Sequence, residues 1–315
     1  MEGIDNSQQI DAAILDFTKA FDCVPHERLK SKLHHYGIRN KVLNWINNFL
    51  TQRQQRVIIN GETSEWHPVV SGVPQGTVLG PLMFLIYIND IVEELQCNIR
   101  LFADDCILYT TVSSTQDCIK LQQDLDRVCQ WASKWQMTFN PKKCNIISLG
   151  LKRSKLIYNY TMLGETLEQV HEHTYLGVTI TDDLSWKSHY RHSVNKANKM
   201  LGLLKRNIHQ CSTDTKATAY KTLVRPYLEY AAVVTDPYQN KYIQMLDNVQ
   251  RRAARFVVND YRRTSSVSKM IEKLGWESLA DRRLRARLSQ FYLIHKKESP
   301  IMSSRLHCPQ DSETP

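Results

Sequence analysis

Two aspartates stand side by side in RLFADDCILYT, residues 100–110, between two short apolar runs. Asp is a common turn residue because its side chain bonds its own backbone two residues on, so this pair alone describes a turn. A third carboxylate changes the reading. Asp16 closes the apolar run IDAAILDF, residues 10–17, and a buried strand there delivers the side chain at the end of a sheet. If the two segments neighbour each other in one sheet, Asp16, Asp104 and Asp105 converge with no cation close by in sequence. Divalent metal relieves such repulsion, and a pair of divalent ions stabilises both the attacking and the leaving oxygen of a phosphoryl transfer.

The elements that must position these carboxylates are legible around them. After the strand at 10–17, CVPHERLKSKLHHYG reads as a helix with Pro25 in its first turn and Gly37 just past its end. VLNWINNFL continues helically, and QQRVIINGETSEWHPVVSG holds a hairpin turning at Asn60-Gly61. SGVPQGTVLGP (71–81) packs three glycines and two prolines ahead of an apolar run, which marks a structured loop. That run, VLGPLMFLIYINDIV (78–92), is shorter than the ~20 residues of a membrane helix and carries Asn89 and Asp90, so it reads as a buried helix. Cys118, Leu121, Leu125, Val128, Ala132 and Trp135 recur at spacings of three and four, an amphipathic helix facing a core. Trp131, Trp135 and Trp276 are read as core residues. MTFNPKKCNIISLG gives a turn at Asn140-Pro141 and another strand, and LIYNYTMLGETLEQV with TYLGVTITDD gives a small sheet. From Trp186 the pattern becomes helical, over 186–207, 213–234, 239–259 and 277–297.

Charge follows the same division. Residues 186–297 carry 23 Lys and Arg against 8 Asp and Glu, whereas the remainder carries 18 against 24. Carboxylates in one part and positive charge in the other suit a catalytic body with a polyanion-binding appendage; a solvated helical surface is the plainer alternative. Arg251, Arg252 and Arg255 fall within one turn, and Arg282, Arg283, Arg285 and Arg287 group more loosely. Such clusters suit phosphate contacts that track a duplex without reading its sequence. The eight cysteines form no C-x-x-C and have no histidine pair at zinc-ligand spacing, so they read as reduced thiols with no disulfide-linked partner. The start MEGIDNSQQIDAAILDF lacks the pattern of a secretory signal. An intracellular location is expected, the nucleus if the chain is functional.

AILDFTKAFD, SGVPQGTVLGPLMFLIYINDI, FADD, NPKKC and YLG stand in the order and approximate spacing of the reverse-transcriptase palm motifs. The sequence resembles the polymerases of non-LTR, LINE-like retrotransposons over nearly its whole length, and VQRRAARFV with LGWESLADRRLRAR resembles the region that follows the palm there. The resemblance implies an α+β fold: a right-hand polymerase palm, an antiparallel sheet with packed helices, over residues 1–183, then an all-helical, thumb-like basic region over 184–315. It implies an RNA-directed DNA polymerase working on an RNA template, a DNA primer and a dNTP, with two Mg²⁺ ions, or Mn²⁺ in their place. Asp16 and Asp104 would be the principal metal ligands, with the Phe17 carbonyl and Asp105 assisting. Phe21 would lie under the incoming sugar and exclude a 2′-hydroxyl. Gln75 and Gly76 would line the nucleotide pocket, and Lys143 would sit near the leaving pyrophosphate. Tyr175, Leu176 and Gly177 resemble the primer-gripping hairpin, and Arg251, Arg252 and Arg255 would meet nucleic-acid phosphates. Because the chain opens fifteen residues before Asp16, the resemblance suggests a parent element shortened upstream, without its fingers region. The rival expectation is an inactive remnant that still binds nucleic acid.

Overall fold

Strand β1, Gln9–Asp16, is buried along its length except at its last residue, as a strand covered on both faces must be. A computed structural model describes residues 8–152 and 154–296 of the chain and places β1 in the middle of a five-stranded sheet. Its other strands are β2 (Asn98–Phe102), β3 (Asp105–Val112), β4 (Asn145–Leu149) and the short β5 (Glu168–Gln169). The order is β5-β4-β1-β3-β2. Only the β4/β5 pair is parallel. β1 and β3 pair without a bulge from Gln9↔Val112 to Asp16↔Asp105.

Alternation along β1 sends Ala13 and Leu15 to one face, where they join Cys106 and Leu108 of β3 in the main core. Three helices close over that face. Leu29 and Leu33 come from His26–His35, Phe84 and Tyr87 from Leu79–Ile88, and Leu121, Leu125 and Val128 from Thr115–Lys134. Each fully buried leucine contributes roughly 1.5–3 kcal/mol. Asp16 ends the opposite row of β1, after Ile10, Ala12 and Ile14. The expected apolar helix is short and buried on one face only, with Leu82 and Leu85 exposed; it continues as a 3₁₀ turn over Asn89–Val92, and no described helix is long and apolar enough to cross a membrane. The hairpin expected at Asn60-Gly61 is present, pairing Ile59 with Glu62. Every cysteine within the described residues is free; Cys308 lies outside them.

The chain divides into two compact units: Met1–His173 with Thr181–Leu184, and Thr174–Ile180 with Ser185–Pro315. The second is built on the helices Lys187–Asn207, Asn240–Val258 and Leu279–His295. Its core joins Ala197, Leu201, Val224, Val249, Ala253 and Trp276, the last stacked on Tyr220 at 4.3 Å. The continuous helix expected over 213–234 is instead broken. Thr213–Ala219 is α-helical, Tyr220–Val224 forms a π turn, Arg225–Glu229 resumes, and Ala231 takes φ 55° before Ala232–Thr235. Pro226 accounts for the π turn: it has no N–H to donate and its ring crowds the carbonyl four residues back, and widening the preceding turn relieves both; the break at Ala231 comes after it. The last residue expected in the 277–297 helix, Lys297, lies outside the described residues.

One buried cation ties the first unit's helices together. Lys32 is almost fully buried, and its Nζ lies 3.7 Å from the Trp135 ring centre, 4.7 Å from Tyr87 and 4.9 Å from Trp131. It pairs with Asp90 Oδ1 at 2.5 Å and donates to the Tyr87 carbonyl, while the Trp131 indole N–H donates to the same Asp90 oxygen. Burial pushes the Lys32 ammonium below its ordinary range, against the pull of Asp90. Trp131 and Trp135 are partly buried and pack against the core, with a cation among them that their spacing does not announce. Lys32→Ala strands Asp90 in that setting and is expected to lower the unfolding free energy by about 3 kcal/mol. Urea denaturation followed by tryptophan fluorescence measures it, and a loss under ~1 kcal/mol would show that the cage does not hold these helices.

Candidate active site

β2 and β3 pair through Phe102↔Asp105, leaving Ala103 and Asp104 as a two-residue turn. Ala103 stands at φ 51°, a left-handed conformation unfavourable for a residue with a Cβ. The ADD sequence is therefore a hairpin tip, and its register on β1 sets Asp105 directly across from Asp16. The Asp16 N–H donates to Cys144 Sγ at 3.3 Å and its carbonyl accepts from the Asn140 N–H at 2.9 Å. Both backbone groups of Asp16 thus point toward β4, so Asp16 and Asp105 form a non-hydrogen-bonded pair. In such pairs the Cα atoms approach to about 4.5 Å and the side chains share a face. Partial burial first, then the charges of Asp104 and Asp16, push the Asp105 carboxyl above its ordinary range, with His173 pulling the other way. Burial lowers the His173 imidazole in turn, with Asp105 opposing.

Phe17 follows, bridged to Phe139 with Thr18 N–H donating to Thr138 O at 2.7 Å. That pattern turns the Phe17 carbonyl away from Phe139, to the side of the Ala103–Asp105 turn. Its ring stacks on Phe139 at 4.1 Å and fixes the strand end. Lys143 Nζ stands 3.6 Å from Asp16 Oδ2, largely exposed, on the tight NPKKC turn closed by Lys143 N–H to Asn140 O. Among the described residues, no three His, Cys, Asp or Glu side chains are gathered into a ready-made metal cage. What stands here is an open acidic edge: two facing carboxylates, a third beside them at the tip, and one exposed lysine. This suits a hard divalent ion that takes one or two protein carboxylates and completes its shell with water and substrate phosphates.

Beyond Asp16 the chain enters the short helix Ala20–Cys23 with Lys19 at φ 47°. Phe21, half-buried, stacks on Phe84 at 4.4 Å. The loop 71–75 is laced to this segment: Gly72 N–H donates to Val24 O, Val73 N–H to Phe21 O, and Ser71 Oγ to Asp22 O, all at 2.8 Å. Gln75 Nε2 donates to Asp22 Oδ1 at 2.9 Å. Gly72 is required here, because it sits at φ 85° and a Cβ would lie 2.7 Å from the Asp22 backbone. At Gly80 a Cβ would meet the Pro74 carbonyl, so the loop folds back over a helix start that offers no side chain. Gly76 is exposed at the loop tip with φ 74°. Lys19, Asp22, Arg53, Ser71 and Gln75 line a cleft of about 760 Å³.

The remaining expected residues belong to the second unit. Tyr175, Leu176 and Gly177 form the turn of a hairpin between Glu172–Tyr175 and Val178–Thr181. Arg251 and Arg252 are exposed on one helix, with Arg252 Nη2 donating to Asn198 Oδ1. Arg255 is spent differently, since its guanidinium donates to the carbonyls of Asp260, Arg262 and Ser265 and closes its own helix end. Arg282, Arg283, Arg285 and Arg287 are paired with Glu229, Asp236 and Glu277.

Residues 5–180, more than half of the chain, match the family described as "Reverse transcriptase (RNA-dependent DNA polymerase)". The chain belongs to the reverse transcriptase family. Its relatives include the RNA-directed DNA polymerase from mobile element jockey of Drosophila melanogaster, 26% identical over 87% of this chain and 32% of that protein. The jockey polymerase of Drosophila funebris is 30% identical over 74% of this chain and 27% of that protein. The chain thus spans about a third of the length of these curated relatives, which are polymerases of non-LTR, LINE-like elements. Among solved structures, apo telomerase from Candida tropicalis is 11% identical and covers 84% of this chain and 43% of its own, at a TM-score of 0.46.

The motifs that meet on one sheet end are those carrying Asp16, the Ala103–Asp105 tip and Lys143. Three neighbours escaped the sequence reading. Cys144 was visible within NPKKC but gave no hint that its sulfur receives the Asp16 amide. Asp22 lay in AFD with no partner in sight, and nothing in sequence linked His173 to Asp105. Gly72→Ala forces Asp22 and the 71–75 loop apart and is expected to cost about 2–3 kcal/mol of stability. Thermal denaturation tests this, and an unchanged melting temperature would show that the approach of the two segments is not tight.

Proposed function

We propose that this chain carries the palm of an RNA-directed DNA polymerase, joining a deoxynucleoside triphosphate to a primer 3′-hydroxyl on an RNA template. The single observation that carries the reading is the Asp16↔Asp105 register with Asp104 at the adjoining tip. Divalent ions held there, Mg²⁺ or Mn²⁺ and in pairs, would supply charge stabilisation to the attacking and leaving oxygens of such a displacement. Asp16 and Asp104 are the residues to hold it, with the Phe17 carbonyl and Asp105 supporting. Asp105 stands directly across from Asp16 on the paired strand, where it supports the two principal ligands.

The other residues position the reactants. Phe21, braced by Phe84, presents a ring edge that leaves no room for a 2′-hydroxyl and so selects deoxynucleotides. Gln75 and Gly76 form the loop wall of the nucleotide pocket, and Lys143 offers a cation to the departing pyrophosphate. In the second unit, Tyr175, Leu176 and Gly177 engage the primer strand. Arg251 and Arg252 face solvent and suit phosphates; Arg255 supports them by capping their helix. The first unit corresponds to the palm and the second to a thumb.

Asp104→Asn, and separately Asp16→Asn, is expected to lower primer extension on an RNA template by at least about a thousandfold. Gel-resolved extension with Mg²⁺ or Mn²⁺ measures this, and undiminished synthesis by either variant defeats the assignment. Wild-type chain that binds an RNA–DNA hybrid with steep salt dependence yet extends no primer would point instead to a non-catalytic binding remnant. Phe21→Val is expected to admit ribonucleotides, raising their incorporation relative to deoxynucleotides by about tenfold or more; an unchanged ratio in single-nucleotide assays would remove Phe21 from sugar selection.

A further inference from the structure

The turn of the hairpin at 172–181 has the wrong residue for its shape. Leu176 and Gly177 both take positive φ, 46° and 76°, which defines the two-residue type I′ connection. Its first position favours Asn, Asp or Gly, and a leucine there is strained. The strain is opposed from outside the hairpin. Tyr230 Oη donates to the Leu176 carbonyl at 2.7 Å, and its ring packs on the turn so closely that a Cβ at Gly177 would come within 3.1 Å of it. Tyr230 is itself fixed at the end of Arg225–Glu229, its N–H donating to Pro226 O at 2.9 Å. The hairpin's other strand is anchored independently, Thr179 N–H donating to His189 Nδ1 and Thr179 Oγ1 meeting His192 Nδ1 at 3.0 Å.

We infer that Tyr230 is a positioning residue for primer binding: it holds the Leu176-Gly177 turn in its strained form so that the Leu176 side chain stays presented at the hairpin tip. A turn chosen for stability alone would carry Asn-Gly; the Leu163-Gly164 turn also takes two positive φ values, with nothing within 4 Å of a Cβ on its glycine, so what sets Leu176-Gly177 apart is the bond and ring that Tyr230 lays on it. Its partners are one backbone carbonyl and one glycine, so it acts on the shape of the turn and touches no reacting atom. The inference rests on the reading of 175–177 as a primer contact, and the test separates the two.

Tyr230→Phe removes only the hydroxyl. Expected in the full chain are faster amide exchange across 174–180 and about fivefold weaker binding of an RNA–DNA hybrid with a recessed DNA 3′ end, relative to a blunt hybrid of equal length. Adding Leu176→Asn to Tyr230→Phe relieves the strain and should restore the slow exchange. Unchanged exchange in Tyr230→Phe overturns the proposal. So does faster exchange with unaltered recessed-end preference, provided that Leu176→Glu, which sets a negative charge against the primer, does weaken binding. If Leu176→Glu also leaves recessed-end binding untouched, the primer reading of the hairpin is what has failed, and the role given to Tyr230 goes with it.

Discussion

The site depends on the register between β1 and β3. Side chains alternate along a strand, so a slip of one residue would turn Asp105 to the helix-covered face and leave Asp16 facing a neighbour from the wrong row. The register is held at both ends. Near the start of β1 the buried Asp11 accepts from the Gln9 amide at 2.7 Å and from the Tyr160 hydroxyl at 2.7 Å. Gln9 moves with β1, but Tyr160 lies on another segment, so a shifted strand would take the buried Asp11 carboxylate away from that donor, at a cost of several kcal/mol. At the far end Phe17 is locked by its stacking on Phe139. Between them Ala13, Leu15, Cys106 and Leu108 commit one face to the core. The juxtaposition of Asp16 and Asp105 is thus imposed by interactions made elsewhere.

Much of this arrangement was legible because the informative residues are local and periodic. IDAAILDF announces a strand covered on both faces, and ADD between apolar runs announces a tight turn. The amphipathic spacing from Cys118 to Trp135 announces a helix that covers a core. What remained hidden depends on partners distant in sequence. Lys32 resembles any helix lysine until Trp131, Trp135 and Asp90 close around it, about a hundred residues away for the indoles. The bond from Asp22 to Gln75 joins positions that composition does not link. The helix expected over 213–234 widens into a π turn just ahead of Pro226, a residue visible in the sequence, and breaks at Ala231, where no residue type announces it.

Charge counting needed the same correction. The second unit's excess of lysine and arginine is real and generates a field that favours polyanions. Arg282, Arg283, Arg285 and Arg287 nonetheless spend their hydrogen bonds on Glu229, Asp236 and Glu277, and Arg255 spends its own on helix-end carbonyls. Sequence clusters of arginine report net charge well and availability poorly, because a guanidinium's five donors are as useful for internal bracing as for phosphate. Of the arginines singled out, Arg251 and Arg252 are the exposed members of their cluster.

Backbone strain adds a third kind of information. Lys19, Ala103 and Leu176 all hold left-handed φ without being Gly, Asn or Asp. Lys19 stands between Asp16 and Phe21, Ala103 precedes Asp104, and Leu176 forms the hairpin tip. Each such residue costs of order 1–3 kcal/mol and persists only where the surroundings over-determine it. The bracing is visible in each case: Asp22 and Cys23 N–H groups donate to the Lys19 carbonyl, the paired strands β2 and β3 close the turn at Ala103, and Tyr230 clamps Leu176. A chain free to optimise stability would place glycine or asparagine at these points and gain flexibility with it. Retaining stiffer residues trades stability for fixed direction of the side chains that flank them.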